Sequence, residues 1–419
     1  MKYILLSITL FTLFIVDCKP RTKEDRNSKN VDSVANSTKI ESNFEYIAQN
    51  DTGLCSNALI VVIDPKGDGK LALNKFLGVA NIFGCAVIGL NDVRNNDANF
   101  IEKINNNIEN AKKLLKFEPK TIIIAGFSGG ARMSYFFSTS KKVDGLILCG
   151  AAPDLNELKD ISLPVVMIVG NKDFNFKEHY YSPYSDFSKN MNILSLIFSG
   201  KHQWPNDEFL TIAAAFIFSK NGYTINKEFL NSDSLVALAN KQKNYLLEAN
   251  LLEAAYKTCS SAQQNKFKQK YDKFISQSIV KSYFKKLDGI VQMEEQRNST
   301  YINQLSVQNT QWWAKEIEMM NQKTTNSDSL LAKSYSRTLA YLGVAMYSFV
   351  RKELANPQSY YVDKFLQIYQ LLEPNNPDMW FFRAVRQKQL GKNDLSQQYY
   401  EKALELEFSD KNTAKQFGF

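Results

Sequence analysis

The segment TIIIAGFSGG, residues 121–130, joins a run of β-branched residues to the pattern G-x-S-x-G around Ser128. Such an apolar run is typical of a parallel strand that is buried on both faces. Glycines on both sides of a serine suit a sharp strand-to-helix turn, where a β-carbon would not fit. The segment therefore predicts a strand, a turn that presents Ser128, and a helix that begins near Ala131. A glycine-rich turn that binds phosphate, or only turns the chain, is the alternative.

Similar apolar runs lie on both sides of this segment. They occupy residues 58–64, 85–90, 144–150, 164–170 and 192–200. Helical patterns lie between them, including 97–116 and 205–219, the second of which opens on a proline. Strands alternating with helices predict an α/β domain over residues 46–222, with a mostly parallel sheet and helices on both of its faces.

Two further polar residues follow strands of this predicted sheet. Asp173 comes shortly after the run 164–170, and His202 comes directly after the run 192–200. Because the loops that follow parallel strands lie at the same edge of the sheet, Asp173 and His202 should lie there beside Ser128. A serine nucleophile needs a base and an orienting acid, and the chain order Ser, Asp, His suits this sheet. We therefore expect catalysis by Ser128, His202 and Asp173.

The sequence leaves alternatives for some of these residues. Asp154 follows the run 144–150 and is a second candidate for the acid. His179 is the other histidine of the chain, and a loop position explains it better than a role as a ligand. Cys55 and Cys85 precede adjacent predicted strands, so they could form a disulfide or remain buried free thiols.

Residues from about 58 to 220 resemble the α/β-hydrolase superfamily. The segment GKHQWP, residues 200–205, is similar to a Gly-x-His-x-Trp-Pro loop of some esterases. This favours the branch that contains polyhydroxybutyrate depolymerase-like and feruloyl-esterase-like proteins. The resemblance implies hydrolysis of carboxylic esters through an acyl-enzyme, with Ser128 as nucleophile, Asp173 as acid and His202 as base. It implies no metal and no cofactor.

The resemblance also implies an oxyanion hole. The segment DPKGDG, residues 64–69, takes the place of the loop that supplies one of its donors. Lys66 stands where those enzymes often have histidine. Pro65 has no N–H, so the donor from this loop is assigned to a backbone amide of Gly67 or Asp68. The amide of Gly129, just after the nucleophile, would be the second donor.

The N-terminus predicts export. Residues 3–16 form an apolar run behind a lysine, and the run leads into Cys18. This resembles a bacterial lipoprotein signal over residues 1–17, with Cys18 as the lipidated residue, although Asp17 departs from the usual small residue. Residues 18–45 are polar and predict a flexible tether. The expected location is the cell envelope, lipid-anchored in a membrane and periplasmic or surface-exposed, or secretion if Cys18 is not lipidated.

From residue 223 to 419 the pattern becomes helical, with few glycines or prolines and apolar residues at helical spacing. Residues 377–410 are similar to a tetratricopeptide repeat, and residues 343–376 look like a degenerate neighbour. Because such repeats stack, this region predicts an all-α domain of several hairpins that could bind a protein partner.

Composition limits the other possibilities. The 419 residues carry a net charge of +8 from intermixed charges, so no basic stripe recommends a nucleic-acid partner. Two histidines and five scattered cysteines argue against a zinc site. The sequence thus favours a serine hydrolase acting on a small-molecule or polymer ester. A peptidase or amidase with the same triad, or a non-catalytic scaffold with a relict hydrolase domain, are the alternatives.

Overall fold

The computed structural model describes residues 43–159, 161–225, 231–325 and 329–419. The predicted signal, Cys18 and all but the last residues of the predicted tether lie outside these ranges. Among the helices of these ranges, none combines the length and apolar character needed to cross a bilayer.

One seven-stranded sheet forms the centre of the N-terminal region. Its strands are β1 (Phe44–Ile47), β2 (Ala58–Ile63), β3 (Ala86–Leu90), β4 (Thr121–Phe127), β5 (Gly145–Cys149), β6 (Val165–Gly170) and β7 (Ile193–Phe198). The spatial order is β1-β3-β2-β4-β5-β6-β7, and β1 is antiparallel to β3 while all other neighbours are parallel. Strands β2 to β7 correspond to the six predicted runs. β1 was not predicted from the sequence.

The strand register brings several loops to one edge of the sheet. Ile63 at the end of β2 pairs with Gly126 of β4, and Phe127 pairs with Cys149 at the end of β5. Gly170 at the end of β6 pairs with Phe198 at the end of β7. The segments that follow these strands therefore leave the sheet at the same edge, where open α/β sheets bind their ligands.

Helices cover both faces of the sheet, as predicted. They are α1 (Gly69–Lys75), α2 (Leu77–Phe83), α3 (Phe100–Leu115), α4 (Gly129–Ser140), α5 (Leu155–Leu158), α6 (Phe176–His179) and α7 (Asp207–Lys220), with a 3-10 helix at Asp186–Lys189. α4 packs on β4, β5 and α3, whereas α7 packs on β5, β6 and α2. Ten residues of α7 are buried, because its central part, residues 209–218, is apolar apart from Thr211. The strand order, crossovers and layers are those of an α/β-hydrolase domain.

Contacts divide the chain into two compact units, and the division falls at Asp288 and Gly289, inside α11 (Ser278–Val307). The first unit contains the sheet and also α8 (Ser232–Asn240), α9 (Tyr245–Thr258) and α10 (Ser261–Ile275). The predicted division lies earlier in the chain, between residues 222 and 223. The difference arises because α9 packs on β7 and α7, so it completes the layer of helices over the sheet.

The second unit, Gly289–Phe419, is all-helical, as predicted for the C-terminal region. It holds the rest of α11 with α12 (Thr310–Lys323), α13 (Leu330–Leu354), α14 (Val362–Leu372), α15 (Pro377–Gln389), α16 (Asn393–Glu405) and α17 (Lys411–Gln416). α15 and α16 form a hairpin with Gly391 at the turn, where φ is 73°. Ser396 Oγ donates to the carbonyl of Ala384 at 2.9 Å within this hairpin. The hairpin covers most of residues 377–410, and its identity as a tetratricopeptide repeat stays a prediction.

Candidate active site

Ser128 occupies the turn between β4 and α4. Its φ is 53° and its ψ is -120°, a conformation that is uncommon for a residue with a β-carbon. Its N–H donates to the carbonyl of Cys149 at 2.7 Å, which fixes the turn to the end of β5. Such strain costs on the order of 1–3 kcal/mol, persists only where the surroundings impose it, and clusters at functional sites.

Two glycines make this turn possible. A β-carbon on Gly126 would lie 2.4 Å from the carbonyl carbon and oxygen of Gly130. A β-carbon on Gly130 would lie 2.1 Å from the carbonyl oxygen of Ile63 on β2. Both contacts involve backbone atoms of packed elements, which cannot move away as a flexible side chain could. The G-x-S-x-G pattern is thus required by the close approach of β4, α4 and β2.

His202 lies within hydrogen-bonding distance of both Ser128 and Asp173. Nε2 of His202 lies 3.0 Å from Oγ of Ser128, and Nδ1 of His202 lies 2.9 Å from Oδ2 of Asp173. Ser128 is 2% exposed and Asp173 is 1% exposed. The structure therefore brings the three predicted residues together in the order that proton transfer from the serine requires.

The loop after β6 holds the carboxylate of Asp173 through one of its two oxygens. Oδ1 accepts from the N–H of Asn175 at 2.9 Å, which leaves Oδ2 directed at His202. Nδ2 of Asn175 donates to the carbonyl of Gly150 at 2.7 Å and ties this loop to the loop after β5. Asp154, the alternative acid, is exposed and caps α5 through the amide of Asn156. Of the two carboxylates, Asp173 is the one that contacts the histidine.

Aromatic rings flank the imidazole of His202. The centroid of the Phe127 ring lies 4.8 Å from that of His202, and the centroid of the Phe174 ring lies 4.4 Å from it. Phe127 and Phe174 each adjoin a member of the triad in the chain, so the same turns that place Ser128 and Asp173 also place these rings. Neither phenylalanine was predicted from the sequence to lie at the site. Their position directly next to the motif residues was the available signal.

His179 is the last residue of α6 and is fully buried. Its Nδ1 lies 3.2 Å from the carbonyl of Asn175, and its own carbonyl accepts from Oγ of Ser195 at 2.7 Å. Burial lowers the pKa of His179 from 6.5 to about 4, against an opposing effect of Asp173. His179 is therefore neutral at pH 7. Its contact with the carbonyl of Asn175 supports the loop that carries Asp173. It lies in a short helix rather than in the expected loop.

A partly buried ion pair fixes the segment after β5. Nη2 of Arg132 on α4 lies 2.6 Å from Oε1 of Glu178, and Oε2 of Glu178 accepts from the N–H of Ala152 at 3.0 Å. Nη1 of Arg132 donates to the carbonyl of Ala152 at 3.1 Å. Desolvation raises the pKa of Glu178, although Arg132 opposes this. This pair could not be predicted from the sequence, because its partners are 46 residues apart.

The predicted oxyanion donors are the amide of Gly129 and an amide of the loop after β2, and their surroundings differ. Gly129 is the first residue of α4, where backbone amides have no acceptor within the helix and the helix dipole favours negative charge. In the loop after β2, the N–H of Gly67 donates to the carbonyl of Asp64 at 3.0 Å. Asp68 caps α1 through its side chain, which accepts from the N–H of Leu71 at 2.9 Å. Since the amide of Gly67 already has an acceptor, Asp68 is the better of the two predicted loop donors.

The cysteines of the described residues are free thiols, so Cys55 and Cys85 form no disulfide. Both are buried, and this burial raises the pKa of Cys55 from 9.0 to about 12. Burial also raises the pKa of Cys85 and of Cys149. These thiols are therefore protonated at neutral pH and act as small apolar side chains.

No protein-family model matches this chain, and no curated protein matches it. Among solved structures, FphF, a fluorophosphonate-binding serine hydrolase of Staphylococcus aureus, is similar at 14% identity and a TM-score of 0.33, covering 42% of this chain and 91% of its own. S-formylglutathione hydrolase (FrmB) of the same species is 14% identical over 42% of this chain and 91% of its own, with a TM-score of 0.32. XC6422, an α/β serine hydrolase of Xanthomonas campestris, is 12% identical over 44% of this chain and 90% of its own, with a TM-score of 0.33.

Proposed function

We propose that this protein is a serine hydrolase. The observation that carries the proposal is the continuous chain of contacts from Oγ of Ser128 through His202 to Asp173, at 3.0 and 2.9 Å. Ser128 lies in a strained turn at the edge where open α/β sheets bind their ligands. A purely structural cluster would not need a serine with positive φ at this place.

The first half of the reaction acylates the serine. Oγ of Ser128 attacks the carbonyl carbon of the substrate while Nε2 of His202 takes the hydroxyl proton. The carboxylate of Asp173 holds the imidazole in the correct tautomer and stabilises its positive charge. Backbone amides of Gly129 and of the loop after β2 stabilise the oxyanion. The intermediate then expels the leaving group, which receives the proton from His202.

The second half releases the acid. Water takes the place of the leaving group, His202 accepts a proton from it, and the hydroxide attacks the acyl carbon. Collapse of this second tetrahedral intermediate breaks the bond to Oγ of Ser128, which regains its proton from His202. The net reaction adds one water across the acyl bond.

We further propose carboxylic esters as the substrates, on the basis of the histidine loop GKHQWP. The test compares p-nitrophenyl acetate and butyrate with the matching p-nitroanilides. We expect an initial burst and steady turnover of the esters, with kcat/KM for the esters well above that for the anilides. Preference for the anilides would replace the esterase by an amidase or peptidase. A folded protein that turns over neither would contradict the hydrolase proposal.

Three variants make this test specific. Ser128→Ala and His202→Ala should each remove activity. Ser134→Ala is the matched control, because Ser134 is a buried serine of α4 that donates to the carbonyl of Gly130. The control should retain the activity of the unaltered protein.

The N-terminal sequence supports export and lipid anchoring at Cys18 as a separate proposal. Metabolic labelling with a fatty acid should mark the full chain, and Cys18→Ala should abolish the label. A label that survives this substitution, or the absence of any label on the unaltered chain, would contradict the lipid anchor.

We also propose that the α15–α16 hairpin belongs to a partner-binding helical repeat. Chemical crosslinking in the cell envelope, followed by mass spectrometry, should recover peptides of a second protein joined to lysines of residues 377–410. Crosslinks confined to this chain's own peptides would count against the proposal.

A further inference from the structure

Trp204 joins two loops that are far apart in the chain. It lies two residues after His202 and is 4% exposed. Its indole Nε1 donates to Oδ2 of Asp64 at 3.2 Å, and Asp64 is also 4% exposed. The bond spans 140 residues and connects the histidine loop with the loop after β2.

Asp64 shapes the loop that it begins. Its Oδ1 accepts from the N–H of Lys66 at 2.9 Å, and its carbonyl accepts from the N–H of Gly67 at 3.0 Å. The two carboxylate oxygens thus face two different donors, Lys66 and Trp204. Only a carboxylate can accept at both places, because an asparagine would turn an NH₂ group towards one of the two donors.

The ring of Trp204 also packs on the nucleophile turn. It stacks on Phe127 with 5.2 Å between ring centroids and an interplanar angle of 30°. Phe127 directly precedes Ser128, and its ring lies 4.8 Å from that of His202. Trp204 is therefore in contact with the nucleophile turn and bonded to the loop after β2, while being part of the histidine loop.

We propose that Trp204 and Asp64 are positioning residues, which hold the histidine and the loop oxyanion donor at a fixed separation around Ser128. This inference rests on the proposed hydrolase function and adds a pair of residues that position its catalytic groups. The physical reason is that catalysis tolerates little misplacement, since a shift of about 1 Å can reduce the rate by about 100-fold. Neither residue touches the reacting atoms.

Trp204→Phe tests the pair directly, because the ring can still stack while the N–H donor is lost. We expect kcat to fall by at least about tenfold with KM changed by less than about twofold, since the transition state and not the bound substrate depends on the donor geometry. Trp313→Phe is the matched control. Trp313 is fully buried in the other unit, and its Nε1 has no hydrogen-bond partner among the described residues.

Asp64→Asn and the double variant complete the cycle. Asp64→Asn should also lower kcat, because its NH₂ group must face either Trp204 or Lys66 and so weakens one end of the connection. The double variant should lose less than the sum of the two single losses, because both substitutions act on the same connection. Additive losses in the cycle, or kcat unchanged in Trp204→Phe, would overturn the inference while leaving the hydrolase proposal intact.

A spectroscopic readout covers the case in which no ester is turned over. The Nδ1–H proton of His202, bonded to Asp173, should give a downfield proton resonance in nitrogen-15-labelled protein. We expect it to shift or broaden in Trp204→Phe and to stay unchanged in Trp313→Phe. An unchanged resonance in Trp204→Phe would overturn the positioning role even if the hydrolase proposal had failed for another reason.

Discussion

Asp173 directs one carboxylate oxygen at Nδ1 of His202 and the other at the N–H of Asn175. The first contact requires an acceptor, because Nδ1 must carry the proton for Nε2 to accept one from Ser128. The second contact prevents the carboxylate from rotating. The geometry therefore sets the tautomer of His202 and not only its position.

Asp173→Asn should test whether Asp173 sets the tautomer of His202. An amide nitrogen turned towards Nδ1 would stabilise the wrong tautomer, so kcat for p-nitrophenyl acetate should fall by about 10⁴-fold with the fold intact. Circular dichroism and the urea midpoint would establish that the variant is folded. A loss of less than tenfold would mean that Asp173 is not the orienting acid.

His179 should make stability depend on pH in the acid range. Burial holds its pKa at about 4 in the folded chain, against 6.5 for an ordinary histidine. Between these values the unfolded chain takes up a proton that the folded chain excludes, so the free energy of unfolding falls as the pH falls. Between pH 7.5 and 4.5, His179 should lower the free energy of unfolding by about 2 kcal/mol, since one pKa unit corresponds to about 1.4 kcal/mol.

The measurement is urea unfolding at both pH values, for the unaltered protein and for His179→Gln. The variant should lose less stability between pH 7.5 and 4.5, by about 2 kcal/mol. Equal losses in the two proteins would show that His179 is not excluded from protonation in the folded state.

The residues that follow strands could be placed from the sequence, whereas those that support them could not. Ser128, Asp173 and His202 each follow an apolar run, and a parallel sheet brings such positions to one edge. Asn175 and Trp204 contact partners that are 25 and 140 residues away, at Gly150 and Asp64. Periodicity carries no information about such contacts, because they depend on how loops of different strands meet.

At the scale of elements, α9 is held on β7 by buried polar contacts. Nζ of Lys257 donates to the carbonyl of Ile193 at 2.7 Å and lies 2.6 Å from Oε1 of Glu253. Oε1 of Glu253 also accepts from the hydroxyl of Tyr181 at 2.9 Å. Burial lowers the pKa of Lys257, and the nearby Glu253 opposes this effect. The ion pair is thus fully inside the packed layers.

Removing one partner should destabilise the fold strongly. Lys257→Met leaves the carboxylate of Glu253 buried without its cation, so the free energy of unfolding should fall by about 3–5 kcal/mol. Lys268→Met is the control, since Lys268 and Asp272 form an exposed pair worth at most about 1 kcal/mol. Urea unfolding measures both, and similar small losses in the two variants would contradict this account of α9.

Element types were easier to predict than their partners. The six apolar runs became β2 to β7, because β-branched runs of that length suit strands buried on both faces. β1 was missed, since FEYI is short and its first two residues, Phe44 and Glu45, were assigned to the predicted tether, which therefore extends too far. The helical character of residues 245–258 was clear, but a helical period does not say whether a helix packs on another helix or on a sheet.

At the scale of the molecule, the two units predict where the chain can be divided. A chain that ends at residue 288 keeps α9 and α10 with the sheet, whereas one that ends at residue 222 exposes the apolar faces of β7 and α7. We expect the fragment 43–288 to be soluble and to unfold cooperatively, and the fragment 43–222 to aggregate or to bind a hydrophobic dye. Equal stability of the two fragments would support the division at residue 222.

The most direct test of the hydrolase proposal is reaction of residues 19–419 with a fluorophosphonate probe, with the labelled peptide identified by mass spectrometry. We predict one adduct, on Ser128, which disappears in Ser128→Ala and His202→Ala and persists in Ser134→Ala. A folded protein that acquires no adduct, or acquires it at another serine, would contradict the assignment of Ser128 as an activated nucleophile.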